Sequence, residues 1–219
     1  MHEFGDTELI RILIADDHAM MRRGVVQLLK ESFRSAHFGE AASGLETLKA
    51  VAREKWNLLI LDLGLPGRSG LEVLRELKGV RGSPPVIVYT MYPEEQYAFR
   101  AIKAGAAAYL TKAAKPEELT CAVRTVLHGS RYINGTVADL LAFYVDEGHP
   151  LQPHDQLSDR EFTVLRMLAS GKTVKQTANE LSLSDKTVST YRARILEKTG
   201  MRNTAELIRY ALDHKLLGN

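Results

Sequence analysis

Up to about Gly129, short apolar runs alternate with longer segments in which apolar residues recur at helical spacing. This alternation is typical of β-α units built around a parallel sheet. A run without internal alternation at residues 58–61 fits a strand that is buried on both faces. We therefore expect a five-stranded, doubly wound α/β sheet. The predicted strands span residues 10–15, 36–41, 58–61, 86–90 and 107–110, and the predicted helices span residues 18–31, 44–54, 70–78, 94–104 and 116–128.

The strand pattern stops after Gly129, and helical periodicity alone follows. Ser158 and Glu161 have the spacing of a capping box, and Gly171 and Gly200 stand where helices are expected to end. Helices are predicted over residues 135–146, 158–170, 174–181, 185–199 and 204–214, with a proline-interrupted linker over 149–154. The pattern thus predicts an α/β domain over residues 8–130, a linker with a helix over 131–155 and a four-helix domain over 156–217.

Five polar residues at or just beyond the ends of predicted strands carry the candidate chemistry of the first domain. They are Asp16, Asp17, Asp62, Thr90 and Lys112. In a doubly wound sheet, the carboxyl ends of the strands lie along one edge, and ligands bind there. Three carboxylates, a hydroxyl and an ammonium group at that edge predict a hard-cation site beside a nucleophilic carboxylate. Such an arrangement suits phosphoryl transfer to aspartate.

The predicted cation is Mg²⁺, which takes oxygen ligands and keeps some of its water. Asp17 and Asp62 are the predicted direct ligands, and Asp16 is expected to act through a water molecule. The backbone carbonyl of Gly64 is a further candidate ligand.

Asp62 is the predicted nucleophile because it stands alone at its strand end, facing the aspartate pair. A carboxylate that attacks a phosphoryl group meets strong repulsion, so the metal and Lys112 must neutralise the phosphoryl oxygens. Thr90 is expected to hydrogen-bond the phosphoryl group once it arrives. Tyr109, on the neighbouring strand, is expected to swing toward the space that Thr90 vacates, which turns a local bond into a surface change.

Taken singly, these residues have ordinary structural explanations. Adjacent aspartates after a strand are more often a helix cap than a metal site, and Asp62 before Gly-Leu-Pro-Gly can open a turn. A single threonine or tyrosine is usually structural, and a single lysine is usually a solvated charge. The functional interpretation depends on all of them occurring in order at successive strand ends.

The overall charge is nearly balanced, but positive charge is concentrated near the C-terminus. The 219 residues include 29 Lys and Arg and 27 Asp and Glu, for a net charge of +2, and 45% are hydrophobic. Residues 186–202 carry five basic residues against one acidic residue. A local excess of this kind is what the binding of a polyanion requires.

The cysteine content and the hydrophobic runs bear on the compartment. Cys121 is the single cysteine, which excludes an internal disulfide and fits a reducing compartment. The sequence has no N-terminal apolar leader and no apolar run of about 18 residues. We therefore expect a cytoplasmic protein without a membrane segment.

The first domain resembles the receiver domain of bacterial two-component response regulators. The resemblance covers residues 8–130 and is carried by Ile-Ala-Asp-Asp-His at 14–18, Leu-Asp-Leu-Gly-Leu-Pro-Gly at 61–67, Val-Tyr-Thr at 88–90 and Ala-Tyr-Leu-Thr-Lys at 108–112. It implies that Asp62 accepts phosphate from a sensor histidine kinase, with Mg²⁺ bound by the acidic cluster. Ala113 stands where many receivers have proline, and Gly64 where many relatives carry a side chain.

The second domain resembles the LuxR-type helix-turn-helix, which makes the whole chain similar to the NarL/FixJ subfamily. The matching residues are Leu-Ser-Asp-Arg-Glu at 157–161, Val-Leu at 164–165, Ala178, Leu181, Ser-Asp-Lys-Thr-Val at 184–188 and Leu-Glu-Lys-Thr-Gly at 196–200. The resemblance implies that helix 174–181 is a scaffold, residues 182–184 form the turn and helix 185–199 enters the major groove of double-stranded DNA.

The DNA-contacting residues are expected on the faces of helix 185–199 that point away from the core. Positions near its start are expected to reach base edges, and other polar positions to contact phosphates. The base-contacting set is Ser189 and Thr190, with Arg192 or Arg194, and the phosphate-contacting set is Lys186, Thr187, Tyr191 and Lys198. Taken alone, this helix fits an ordinary solvated basic face equally well. Its position behind a receiver favours DNA binding.

A homodimer is expected in the phosphorylated state because two-fold operators usually bind dimers. The last predicted helix carries more apolar residues than one face of a small bundle needs, and part of them is expected to pair with a second copy. These residues are Leu207, Ile208, Tyr210, Ala211 and Leu212.

The predicted function is a phosphorylation-controlled transcription regulator. It is not expected to be an enzyme, beyond slow self-phosphorylation and self-dephosphorylation of Asp62. Phosphorylation is expected either to release the DNA-binding helix or to bring two copies to the right spacing. One alternative is a degenerate receiver that acts through protein contacts without phosphate. Another is an aspartyl-phosphate hydrolase of the haloacid dehalogenase type, which normally has a second aspartate where this chain has Gly64.

Overall fold

The computed structural model describes residues 9–146, 152–181, 183–214 and 216–217. The chain divides into two compact units, Met1–Leu141 and Ala142–Asn219, and each is described by itself. Residues 147–151 of the predicted linker and Ser182 of the predicted turn lie outside the described residues. Within the described part of the chain, no helix has the length and apolar character needed to span a membrane.

The first unit contains the predicted five-stranded parallel sheet, with strands in the order β2-β1-β3-β4-β5. All of the predicted strands and helices of this unit are present, and their ends differ from the prediction by one residue at most. The strands are β1 (Arg11–Ala15), β2 (His37–Ala41), β3 (Leu58–Leu61), β4 (Val86–Thr90) and β5 (Ala108–Thr111). The helices are α1 (Ala19–Ser32), α2 (Gly44–Arg53), α3 (Gly70–Lys78), α4 (Glu94–Ala104) and α5 (Pro116–Leu127).

The register of the strands determines which side chains meet at the carboxyl edge of the sheet. Ala15 of β1 pairs with Leu61 of β3, so the residues that follow them, Asp16 and Asp62, leave the sheet side by side. On the other side of β3, Thr90 pairs with Thr111 of β5, directly before Lys112. All four residues of β3 are buried, as expected for a central parallel strand.

Particular residues mark where these helices begin and end. Ser69 and Glu72 form a capping box at the start of α3, in which each side chain binds the other residue's backbone N–H. Pro116 opens α5, where its missing N–H is not needed. Gly105 ends α4 with a φ of 113°, a conformation that favours glycine.

After α5, the chain returns to the edge of the sheet. Tyr132 forms a parallel bridge with Ala108, and its backbone N–H donates to the carbonyl of Ala107 at 3.0 Å. Helix α6 (Gly135–Asp146) follows with the predicted bounds. Asn134 caps it, because its Oδ1 accepts from the N–H of Val137 at 2.9 Å. The start of the linker is thereby attached to the outer edge of β5.

The secondary-structure elements that the structure describes in the second unit are all helices. Ser158 and Glu161 form the predicted capping box, and Gly200 ends the longest helix with a φ of 73°. The core contains Phe162, Val188 and Ile195, which are fully buried. The elements are a short 3-10 turn (Pro153–Gln156), α7 (Asp159–Ala169), α8 (Val174–Glu180), α9 (Asp185–Thr199) and α10 (Thr204–Asp213).

Two of the five apolar residues of α10, part of which were expected to pair with a second copy, lie in the core of the unit. Leu207 and Ala211 are fully buried, since this face of α10 packs against α7. The hydroxyl of Tyr210 lies 2.7 Å from Nδ1 of His154, within the same unit. Of the five residues in that prediction, Leu212 is the one that is largely exposed, at 59%. Leu207 and Ala211 are therefore core residues, and the pairing of the other apolar residues with a second copy stays a prediction.

Candidate functional site

Three of the predicted site residues meet at the carboxyl edge of the sheet. Nζ of Lys112 lies 2.6 Å from Oδ2 of Asp16 and 2.6 Å from Oδ2 of Asp62. The side chains of Lys112, Asp16 and Asp62 are 3%, 4% and 6% exposed, respectively. The peptide bond between Lys112 and Ala113 is trans. A buried ammonium group is thus shared between two buried carboxylates.

The carboxylates hold Lys112 in its charged form. Burial disfavours the ammonium ion, but the hydrogen bonds to Asp16 and Asp62 outweigh burial and raise the pKa of Lys112 above its ordinary value. At neutral pH, the site therefore contains a fixed positive charge next to the predicted nucleophile. Such a charge is suited to stabilising the oxygens of a phosphoryl group.

Asp17 and His18 form the outer side of this acidic pocket. One oxygen each from Asp16, Asp17 and Asp62 and one ring nitrogen of His18 lie within 4.8 Å of one another. Nδ1 of His18 lies 2.7 Å from Oδ1 of Asp17, and the His18 side chain is 73% exposed. The site therefore offers three carboxylates and one exposed imidazole to a cation.

The two predicted switch residues are both tied to Tyr92, in the loop between β4 and α4. The backbone N–H of Tyr92 donates to Oγ1 of Thr90 at 3.4 Å, and the hydroxyl of Tyr109 donates to the carbonyl of Tyr92 at 2.9 Å. Thr90 and Tyr109 are both 1% exposed. The ring of Tyr92 also stacks on that of Tyr97, with centroids 4.7 Å apart. Tyr109 thus lies inward, and its polar end is fixed to this loop.

Two glycines lie next to Asp62, with different roles. Oδ1 of Asp62 accepts from the N–H of Gly64 at 3.2 Å, and a Cβ at position 64 would lie 3.7 Å from Oδ2 of Asp62, an ordinary contact. At position 70, by contrast, a Cβ would overlap the carbonyl oxygen of Asp62. Gly70 is therefore required for the close approach of α3 to the end of β3, whereas Gly64 leaves space beside the carboxylate.

In the second unit, helix α9 presents one polar face outward. Val188 and Ile195 are fully buried, as predicted from their spacing. Lys186, Ser189, Thr190 and Arg194 are exposed, and Thr187 and Tyr191 are partly buried. Ser184 caps this helix by accepting from the N–H of Thr187 at 3.1 Å. The exposed set includes two cationic side chains, those of Lys186 and Arg194.

Two of the predicted DNA-contacting residues have partners inside the unit. Nζ of Lys198 donates to Oε2 of Glu161 at 2.7 Å, and the Glu161 side chain is 3% exposed. Nε of Arg192 donates to Oγ1 of Thr204 at 2.8 Å. These contacts give both residues a structural role that helical spacing alone did not reveal, because their partners come from α7 and α10.

The sequence pattern assigned no role to His18 and Gly70, which lie at or beside the site, or to Asn134, which contacts the start of α4. His18 follows the aspartate pair directly, and that position was the available signal. Gly70 gives no such signal, because its importance comes from a backbone approach between two elements. The side chain of Asn134 donates from Nδ2 to Oε1 of Glu94 at 3.0 Å, a contact between residues 40 positions apart.

Two protein families match the chain. The family described as "Response regulator receiver domain" matches residues 12–124, and "Bacterial regulatory proteins, luxR family" matches residues 155–211. Among similar proteins, the Response regulator GacA of Pseudomonas aeruginosa is 35% identical over 211 residues, which cover 95% of this chain and 98% of GacA. The Response regulator UvrY of Escherichia coli is 32% identical over 209 residues, which cover 95% of this chain and 96% of UvrY.

Solved structures of response regulators are also similar. The response regulator ChrA of a heme-sensing two-component system has a TM-score of 0.50 at 32% identity, covering 95% of this chain and 99% of ChrA. RcsB from Salmonella enterica serovar Typhimurium, bound to promoter rprA in the presence of the phosphomimetic BeF3⁻, has a TM-score of 0.62 at 25% identity. That match covers 93% of this chain and 98% of RcsB. This chain therefore belongs to the NarL/FixJ family of two-component response regulators, with a receiver domain and a LuxR-type DNA-binding domain.

Proposed function

We propose that this response regulator accepts a phosphoryl group on Asp62 from a sensor histidine kinase, and that phosphorylation controls sequence-specific binding of DNA by α9. The observation that carries the first half is the position of Lys112. Its buried ammonium lies 2.6 Å from Oδ2 of Asp62, so it can bind a phosphoryl oxygen attached to that carboxylate. The phosphoacceptor is a substrate of the kinase, and we propose no enzymatic activity beyond slow self-phosphorylation and self-dephosphorylation.

The donor set of the pocket fits Mg²⁺. Carboxylate oxygens are its preferred protein ligands, and the pocket opens to water at Asp17, whose side chain is 36% exposed. Asp17 and Asp62 would bind the ion directly, with the carbonyl of Gly64 as a further ligand and Asp16 acting through water. When bound, the ion supplies positive charge against the phosphoryl oxygens.

The transfer itself requires one bond exchange. A carboxylate oxygen of Asp62 attacks the phosphorus of a phosphohistidine, the new O–P bond forms and the P–N bond breaks, and the leaving imidazole nitrogen takes up a proton from water. Lys112 keeps its proton and turns from Asp62 toward the phosphoryl oxygens. Thr90 then donates its hydroxyl to the phosphoryl group, and Tyr109 follows into the space that Thr90 leaves.

The second half of the proposal concerns the exposed face of α9. Lys186 and Arg194 have no side-chain partner among the residues that the structure describes, so their charges are available to phosphates. Ser189 and Thr190 lie near the helix start, where helix-turn-helix proteins contact base edges. Thr187 and Tyr191, both partly buried, would contact phosphates at the margin of this face. The phosphorylated protein would bind a two-fold operator as a homodimer.

Labelling with acetyl phosphate tests the phosphoacceptor. The full-length protein is incubated with acetyl phosphate and Mg²⁺, and intact mass spectrometry measures the added phosphoryl group. We expect incorporation in the wild-type protein, none in Asp62→Asn, and none when EDTA replaces Mg²⁺. Asp139→Asn, an exposed position on α6, is the matched control and should be labelled like the wild type. Undiminished labelling of Asp62→Asn would refute the assignment.

Genomic footprinting with and without acetyl phosphate tests the DNA half. We expect protected sites with a two-fold symmetric sequence whose occupancy rises with the phosphodonor in the wild type and does not change in Asp62→Asn. Equal occupancy in both proteins, with and without the donor, would instead favour a receiver that acts without phosphate.

A further inference from the structure

The side chain of Asn134 contacts both the linker helix α6 and the receiver. Oδ1 of Asn134 accepts from the N–H of Val137 at 2.9 Å and caps α6, while Nδ2 of the same amide donates to Oε1 of Glu94 at 3.0 Å. The chemistry of both partners fixes the orientation of the amide, because an N–H needs an acceptor and a carboxylate needs a donor. The start of α6 therefore depends on the position of Glu94.

Glu94 is the first residue of α4, and it follows the loop that holds the switch residues. The N–H of Tyr92 is bonded to Thr90 and its carbonyl to Tyr109, so both switch residues contact one peptide segment. Tyr92 is separated from Glu94 by Pro93, whose ring fixes φ and removes one rotatable bond from the connection. If Thr90 or Tyr109 moves, the backbone at Tyr92 is therefore expected to move with it, two residues before Glu94.

The linker is also attached on the Tyr109 side. The N–H of Tyr132 donates to the carbonyl of Ala107, and Tyr132 bridges Ala108, which directly precedes Tyr109. Val137, in the first turn of α6, is 1% exposed. Burial is the main reason why the pKa of Glu94 is raised, although the hydrogen bond from Asn134 opposes this shift. The Asn134–Glu94 contact is therefore partly shielded from water, where a hydrogen bond to a charged group contributes more than on the surface.

We propose that the hydrogen bond between Asn134 and Glu94 is the latch through which the state of Asp62 reaches the interdomain linker. The latch is closed in the unphosphorylated protein and opens when Thr90 and Tyr109 rearrange around a phosphoryl group, because the segment at Tyr92 then moves α4 away from Asn134. This inference rests on the proposed phosphorylation of Asp62. Beyond that function, it names the contact through which phosphorylation of Asp62 would change α6.

Two substitutions separate the latch from the helix cap. Asn134→Asp keeps the oxygen that caps α6, and aspartate is as good a cap as asparagine, but it removes the donor and places a carboxylate against Glu94. Glu94→Gln keeps an oxygen that accepts from Asn134. In the double variant Asn134→Asp/Glu94→Gln, the glutamine amide donates to the new carboxylate, so the hydrogen bond is restored with donor and acceptor exchanged.

Hydrogen exchange of the α6 amides, measured by mass spectrometry on the full chain, tests the latch. We expect phosphorylation with acetyl phosphate and Mg²⁺ to accelerate exchange in the wild type by about tenfold, as expected for the loss of a charge-assisted hydrogen bond. Asn134→Asp should show the fast rate without phosphodonor, and phosphorylation should not accelerate it further. Glu94→Gln and the double variant should exchange slowly until they are phosphorylated.

The outcomes distinguish the latch from the function on which it rests. Intact mass spectrometry of the same samples measures phosphoryl incorporation. No incorporation in the wild type would contradict the proposed function itself. Full incorporation with unchanged α6 exchange, or slow exchange in unphosphorylated Asn134→Asp, would overturn the latch and leave the phosphoacceptor assignment intact. Fast exchange in the double variant would also contradict the latch, because its hydrogen bond is restored.

Discussion

Lys198, on the helix proposed to bind DNA, donates a hydrogen bond to the buried carboxylate of Glu161, 2.7 Å away on α7. Glu161 also accepts from the N–H of Ser158 in the capping box of α7. The three residues therefore join the start of α7 to the last turn of α9. The orientation of α9, the helix proposed to bind DNA, depends in part on this contact.

The Glu161 contact predicts an acid-dependent loss of stability in the second unit. Burial opposes the charge of Glu161, but the hydrogen bonds from Lys198 and Ser158 outweigh it and lower the pKa of this carboxyl below its ordinary value of 4.5. Its stabilising contribution is therefore present above pH 4.5 and is lost as the pH falls through the lowered pKa. Lys198→Met should destabilise the unit by about 2 kcal/mol at pH 7 and weaken its acid dependence. Hydrogen exchange of the α7 amides measures both effects, with Lys186→Met as the control that should change neither.

The pair of carboxylates around Lys112 predicts the opposite pH dependence in the first unit. The pKa of Lys112 is raised above its ordinary value of 10.5. The stability that the charged lysine gives to the folded unit is therefore fully present below pH 10.5, and it is lost only as the pH rises through the raised pKa. Lys112→Met leaves two buried carboxylates without a cation and should cost about 3 kcal/mol at pH 7. Urea unfolding followed by the fluorescence of Trp56, the single tryptophan, measures this loss. Added Mg²⁺ should stabilise the variant more than the wild type, and an equal response in both proteins would contradict the shared-ammonium arrangement.

The two glycines beside Asp62 provide a matched pair of alanine substitutions. Gly70→Ala places a methyl group on the carbonyl oxygen of Asp62 and should lower the free energy of unfolding by about 2 kcal/mol. Labelling by acetyl phosphate should fall as well, since the end of β3 must move. Gly64→Ala places its methyl group in ordinary contact, 3.7 Å from the carboxylate, and should leave the free energy of unfolding unchanged. Equal destabilisation by the two substitutions would argue against the close approach of α3.

Arg192 and Arg194 are predicted to act differently, although either one was expected to reach base edges. Arg194→Ala should weaken binding to duplex DNA about tenfold and lower the slope of log K against log salt by about one, with unfolding unchanged. Arg192→Ala should cost about 1 kcal/mol of stability through the lost bond to Thr204. Thr204→Val should reproduce that cost while leaving Arg192 in place. Arg34→Ala, an exposed charge in the first unit, controls for the change in net charge.

The sheet and the acidic pocket followed from local patterns in the sequence. Strand ends at Asp16, Asp62 and Thr90 were predicted because apolar runs mark buried parallel strands, and parallel strands bring their carboxyl ends to one edge. Side chains that are far apart in the sequence therefore lie close together in the fold. Lys112 was predicted in the same way, but its equal distance to two carboxylates depends on side-chain geometry that no spacing determines.

The errors and omissions arise where two elements meet. Leu207 and Ala211 were included among the residues available for a second copy because the sequence does not show how much of α7 they cover. Lys198 and Arg192 were counted as available cations because their partners, Glu161 and Thr204, lie on other helices. Asn134 was predicted to belong to the linker. Its contact with Glu94 was not predicted, because the two residues are 40 positions apart in the chain. Periodicity identifies the face of a helix, whereas the identity of the opposing surface requires coordinates.

The parallel bridge between Tyr132 and Ala108 has a consequence for handling the protein in pieces. β5 is the outermost strand on its side of the sheet, and the residues after α5 cover part of its hydrogen-bonding groups. A fragment that ends at Leu127 would leave that strand uncovered, and uncovered edge strands pair with other chains and aggregate. An isolated receiver that stays monomeric at high concentration should therefore extend at least through Asn134.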